Sequence, residues 1–249
     1  MYNFYTNKYF GETMKFITNL TILIFSLNIF ALENVHNALS IYTDKPISTI
    51  GQIKAMFEGP LGKYMGKQVY VYQNLIDGND PATHLIINEY EDYDAYQKAI
   101  DATTGKDPEA GFWWYVTLNE LSFKPIMNGQ DLILASNNRE NWEKNIYFMA
   151  IGLNVSDSKR YKDAWVKMSE KTKNFIPNGS SWLSQSYGGS SPVTHNVLLG
   201  ANSYSDLMEG LNKIYASEAF EEFVKEARPV SKVISRVSSK RIATFNKKN

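Results

Sequence analysis

The 249-residue chain contains no cysteine. Thiol nucleophiles, thiolate metal sites and disulfides are excluded together, and an exported form must stand on its core alone. Neither charge is in excess, with Lys+Arg and Asp+Glu at 26 each. A neutral chain without a basic run lacks the electrostatic footprint of a nucleic-acid binder. No GxSxG, HExxH, Walker A or GxGxxG pattern is present, so the common hydrolase, zinc-protease and nucleotide signatures are missing. The run Gly59-Pro60-Leu61-Gly62-Lys63-Tyr64-Met65-Gly66-Lys67 has the wrong glycine spacing for a phosphate loop and reads as a broken helix end. Asp107, Glu109, Glu89 and Glu91 read as solvated side chains.

Long hydrophobic runs are also scarce. The longest covers residues 16–30, about fifteen residues interrupted by Thr, Asn and Ser, whereas a spanning helix wants ~20 cleaner ones. Lys15 precedes it and the small Ala31 follows. That arrangement predicts a secretory signal over residues 14–31, cleaved near Ala31, and a periplasmic or secreted bacterial product with no membrane attachment. The codons for Gly11-Glu12 can spell a ribosome-binding purine run just ahead of an initiating Met14. Residues 1–13 are accordingly expected to be an untranslated upstream extension.

What the chain does have is aromatics, at 14% including 16 Tyr, and an internal repeat. Residues 70–100 laid over 181–211 without a gap match at Gly78/Gly189, Pro81/Pro192, Thr83/Thr194, His84/His195 and Tyr93/Tyr204. Two of the three histidines thus close the same phrase, PATH and PVTH. The structural signals repeat as well. Residues 69–72 and 181–187 are β-branched or aromatic and predict strands. Turns follow at 77–81 and 188–192, then partner strands at 82–88 and 193–199 and helices at 92–101 and 203–214. Ahead of each hairpin lie a strand (36–42, 146–153) and a helix (47–57, 157–175). After each comes a helical segment (113–121, 220–227) and a short closing strand (131–135, 241–245). The first copy carries about seven extra residues near 103–109, placed in a loop at Gly105-Lys106-Asp107-Pro108.

Each copy therefore reads as β-α-β-β-α-β, the ferredoxin-like unit, over residues 34–136 and 145–246. The predicted fold class is α+β, with two tandem units forming an intramolecular α/β barrel. This pattern resembles a fused form of the dimeric α/β-barrel superfamily, which includes antibiotic-biosynthesis monooxygenases, stress-responsive A/B-barrel proteins and EthD- or NIPSNAP-like domains. The GGSSP turn, the Trp182 strand and the Tyr204 helix are also similar to uncharacterised exported bacterial proteins. Chlorite-dismutase-like haem proteins share the fused layout, but their haem ligand has no evident counterpart, so no cofactor is expected.

Period-two alternation places His84 with Ala82, Ile86 and Asn88, and His195 with Val193, Val197 and Leu199. An imidazole on an apolar strand face must find a partner. One reading is a core histidine satisfied by a carbonyl or hydroxyl. The other has both faces looking into the barrel, so that pseudosymmetry brings the two imidazoles to one cavity as anion binders or an acid–base pair. A metal would need a third ligand from Asn88, Glu89 or Tyr187, none at a recognisable spacing, so none is expected. Tyr70, Tyr72, Trp182 and Tyr187 complete the candidate ligand-binding set, as pocket wall or as hairpin packing. In the run Trp113-Trp114-Tyr115 at least one ring should be partly exposed, since consecutive residues cannot share a helix face. Three functions stay open: a small-molecule binder, a cofactor-independent oxygenase- or isomerase-like enzyme, and a structural or assembly protein. The oligomeric expectation is a monomer or homodimer.

Overall fold

A computed structural model of the protein describes residues 35–76, 81–188 and 192–246. The predicted signal, the upstream extension and the two hairpin turns around Gly78 and Gly189 lie outside the described residues. The elements run β1 (Val35–Tyr42), α1 (Pro46–Glu58), β2 (Gln68–Ile76), β3 (His84–Tyr90), α2 (Tyr93–Asp101), α3 (Pro108–Asn119) and β4 (Lys124–Asn137). A second series follows: β5 (Tyr147–Val155), α4 (Ser158–Thr172), β6 (Ser180–Gly188), β7 (His195–Ala201), α5 (Tyr204–Tyr215), α6 (Glu218–Ala227) and β8 (Ser231–Asn246). Helix starts follow local chemistry. Asp92, Asp107, Asp157, Ser203 and Ser217 each accept a backbone N–H of the first turn. Only α1 lacks a side-chain cap, and it opens instead on Pro46, whose fixed φ suits the first turn.

The eight strands close into an all-antiparallel barrel in the order β4-β1-β3-β2-β8-β5-β7-β6, with β6 returning to β4. Each half contributes the ferredoxin-like order, its third strand flanked by its first and second. Two seams join the halves, β2 on β8 and β4 on β6. The fold is α+β with two tandem ferredoxin-like units, as the repeat predicts. Among the described residues no helix is long and apolar enough to cross a membrane.

Two layers of core result. One face of each strand packs inside the barrel, where Tyr70, Tyr72, Ile87, Phe148, Trp182 and Leu198 meet Trp142 from the segment between the halves. The Trp142 and Trp182 ring centres are 3.6 Å apart, and Phe148 lies 4.4 Å from Trp142. Arg241 of β8 places its guanidinium 4.9 Å over the Tyr70 ring and donates to the carbonyls of Trp142, Glu143 and Asn145. The opposite faces carry the helices: Val69, Val71 and Ile86 pack on Ile53 of α1, and Leu183 and Val197 on Tyr161 and Trp165 of α4.

The closing strands are far longer than the sequence suggests, fourteen residues in β4 and sixteen in β8. The extra residues of the first half form a π-type turn at Ala102–Lys106, with Gly105 at a φ of 113° that favours glycine, and then begin α3. Trp113 and Tyr115 are exposed on α3, while Trp114 turns inward.

Candidate functional site

The repeated phrase is a structural clamp. Thr83 and Thr194 stand just before β3 and β7. Each donates its N–H to the end of the half's first strand, Thr83 to the Ile41 carbonyl at 2.9 Å and Thr194 to that of Leu153 at 2.8 Å. Each hydroxyl oxygen then accepts an N–H two residues further along that strand, from Thr43 and Val155, at 2.9 Å in both halves. The following imidazole completes the unit, with Nδ1 at 2.9 Å from the Thr83 hydroxyl in His84 and 3.0 Å from that of Thr194 in His195. His195 Nε2 also meets the Ser158 hydroxyl at 2.9 Å. In the first half the position equivalent to Ser158 is Pro46, counted on alike from the strand partners of the two histidines, Ile41 and Leu153, and His84 Nε2 has no hydrogen-bond partner.

The two imidazoles do not converge. Ile86 and Val197, two residues on, face the helices, so His84 and His195 lie on the outer faces of their strands. This corrects the shared-cavity arrangement: a closed barrel has an apolar layer on both sides of each strand, and alternation alone does not say which side is in. Burial lowers both imidazole pKa values. Of the other candidates, Tyr70, Tyr72 and Trp182 are buried inside the barrel, packed with Trp142 and Phe148. Tyr187 is exposed on the outer face and stands apart from them.

The third histidine is the one inside. His36 of β1 is paired in register with Glu89 of β3 on one side and Asp131 of β4 on the other. Its Nε2 is 3.7 Å from Glu89, and its ring lies edge-on to Trp182 at 5.2 Å. Glu89 is not solvated, contrary to its sequence reading: it is 5% exposed and held by Lys67 at 3.1 Å and Arg139 at 3.5 Å. Burial drives the His36 pKa down to about 4, against the pull of Glu89. Asp131 is held by Ser184, Ser186 and Asn196, and burial raises its pKa. Tyr70 and Tyr72 are raised by burial as well. Sequence reasoning missed this row because nothing marked the first residues of β1 as inward-facing.

Open space lies outside the barrel, between sheet and helices. In the first half a cavity of about 400 Å³ is bounded by the outer faces of β1, β3 and β4 and by α1, α2 and α3. Its wall is apolar, with Ile53, Ile86, Trp114 and Leu118, and no side chain lining it is charged. Polar groups enter from the sheet. Asn37 Nδ2 donates to Asn128 Oδ1 at 2.9 Å. Asn88 accepts the Gly66 N–H at 2.8 Å and donates to the Tyr90 hydroxyl at 2.8 Å. A Cβ on Gly66 would stand 2.2 Å from the Glu89 carbonyl, so only glycine lets that N–H reach Asn88. Burial raises the Tyr90 pKa, and the hydroxyl oxygen accepts from Asn88, so the phenol O–H is left as a donor. The second half has a cavity of about 130 Å³ at the equivalent place. Neither cavity has a histidine in its wall. Among the described residues no group of three His, Asp or Glu side chains could hold a metal.

No protein family and no curated protein matches the chain. Solved structures do. An anthrone oxidase-like protein superposes with a TM-score of 0.55 at 11% identity, over 86% of this chain and 93% of its own. A proposed monooxygenase from Fusobacterium nucleatum gives 0.52 at 13%, over 86% and 95%. A variant of the chlorite dismutase from Candidatus Nitrospira defluvii gives 0.51 at 10%, over 85% and 92%. The chain shares their fold. At such identities the likeness extends to architecture, in agreement with the dimeric α/β-barrel resemblance, and not to chemistry.

Proposed function

We propose that the protein is an exported bacterial binder of an uncharged, largely apolar small molecule, held in the first-half cavity. The observation that carries this reading is a space of about 400 Å³, within the usual range for small-molecule sites, walled without a single charge. An ionised ligand would lose its hydration there with nothing to replace it. A neutral one with a carbonyl or hydroxyl gains the Tyr90 proton and the amides of Asn37 and Asn128. Export is supported by the apolar run and small residue ahead of position 32.

The enzyme-like alternative draws on the descriptions of two fold neighbours as oxidase-like and as a monooxygenase. The ionisable groups nearest the cavity favour binding instead. Tyr64, in its wall, donates to Asp107 at 2.6 Å, which raises the phenol and lowers the carboxyl. Those shifts make Tyr64 a weaker acid and Asp107 a weaker base, the reverse of what proton abstraction needs.

The test is Ala99→Phe, which fills the cavity from α2. Wild-type protein is expected to bind an apolar fluorescent probe and to release it on competition with solvent extracts of the source cells. The variant should lose probe binding while keeping its melting temperature. Equal probe binding by both proteins would overturn the site. Turnover of a polycyclic phenol with oxygen uptake would replace binding with catalysis.

A further inference from the structure

The smaller cavity of the second half differs from its counterpart at one position that decides ligand charge. Leu39 of β1 and Ile151 of β5 are equivalent, since each pairs with the residue two beyond its half's clamp histidine, Ile86 and Val197. Across the next strand, Leu39 pairs with Asn128 and Ile151 pairs with Arg236. Asn128 lines the first cavity and Arg236 the second. The same point in the two halves therefore carries a neutral amide in one and a guanidinium in the other.

Arg236 has no ion-pair or hydrogen-bond partner among the described residues, unlike Arg139, Arg160 and Arg241. Two acids of the covering helix α6 are engaged elsewhere: Glu222 holds Lys167 and Lys171, and Glu226 holds Arg160. Lys173, the other basic residue at this cavity, is paired with Glu170. A solvent-exposed guanidinium thus stands at the edge of a space walled by Ile151, Leu153, Trp165, Val197 and Phe223. The volume of about 130 Å³ is close to the roughly 150 Å³ of an apolar cavity known to take up benzene.

We propose that this second cavity is a separate site for a small ring-sized organic acid, the apolar ring among those side chains and the carboxylate on Arg236. Guanidinium and carboxylate match as a two-pronged, charge-assisted pair. Asn128 offers no such charge, so the first cavity excludes the same acid. The two sites therefore sort ligands by ionisation. This site is independent of the one proposed above, and the two succeed or fail separately.

The experiment is isothermal titration of the whole protein with benzoate and with benzamide, its neutral isostere, in three proteins: wild type, Arg236→Asn and Ala99→Phe. Benzoate should bind wild type at least about tenfold more tightly than benzamide, the factor a charge-assisted hydrogen bond is worth. The Arg236→Asn change, at an exposed position, should erase that difference and leave benzamide unaltered. Ala99→Phe should change neither. Equal binding of the two probes by wild type would overturn the proposal. So would benzoate binding that survives Arg236→Asn, benzoate binding lost in Ala99→Phe, or no heat from benzoate at high millimolar concentration.

Discussion

Replacing Thr194 by valine keeps the shape of the side chain and removes one oxygen. That oxygen accepts the Val155 N–H at 2.9 Å and lies 3.0 Å from His195 Nδ1. Without it, a part-buried N–H at the end of β5 has no acceptor, which costs about 1–3 kcal/mol, and the imidazole loses a bond worth about 1 kcal/mol. The sum is about 2–4 kcal/mol. For a domain of this size each kcal/mol lowers the melting temperature by roughly 2–4 °C, so Thr194→Val should melt some 4–16 °C below wild type (an estimate from those two factors). Thermal unfolding followed by circular dichroism measures it. The clamp also predicts a pattern. Ser158→Ala, which removes the outer partner of His195, should cost about 1 kcal/mol, and the two changes should be non-additive because they share one imidazole. A Thr194→Val protein that melts within a degree of wild type would refute the clamp, and so would strict additivity.

Acid should destabilise the protein through His36. An unfolded chain binds a proton there at about 6.5, the folded one only at about 4, so stability is full above pH 6.5 and falls as pH drops toward 4, by about 3 kcal/mol from this residue. Urea unfolding at pH 7 and pH 4.5 should show a smaller loss in His36→Gln than in wild type. Trp142→Ala, which empties the ring stack inside the barrel, should cost about 3–5 kcal/mol by the same urea assay at pH 7.

Much of the fold is legible because each half writes it twice. The hairpins show in Val69-Tyr70-Val71-Tyr72 and its partner around Trp182, and the helices in spacings such as Tyr204, Leu207 and Leu211. β8 is less legible: Ser235, Ser239 and Arg241 point inward, and its last residues, Ile242, Ala243 and Phe245, carry an apolar signal, packing on the outer layer beside Val69 and Val71. β4 hides in the same way behind Asn128, Gly129, Gln130 and Asp131. The site is less legible still. Alternation correctly groups His84 with Ile86 and His195 with Val197, but in a barrel Tyr70 and Val71 are both buried though they point opposite ways. The inside could not be told from the outside by apolar content. Glu89 looked solvated because its partners, Lys67 and Arg139, come from other elements. The cavity depends on the turn at 102–106 that sets α3, which registers in the sequence only as a length difference between halves.

The two seams have a consequence for how such a chain is kept. β2 and β4 of one half find their outer hydrogen-bonding partners only in β8 and β6 of the other, so either half alone would present two bare strand margins ready to stick to any extended peptide. Tethering the halves in one polypeptide supplies the correct mate at high local concentration from the moment of synthesis. It also releases each half from the need to remain identical to its mate, which is the freedom that an Asn128 facing one ligand and an Arg236 facing another requires.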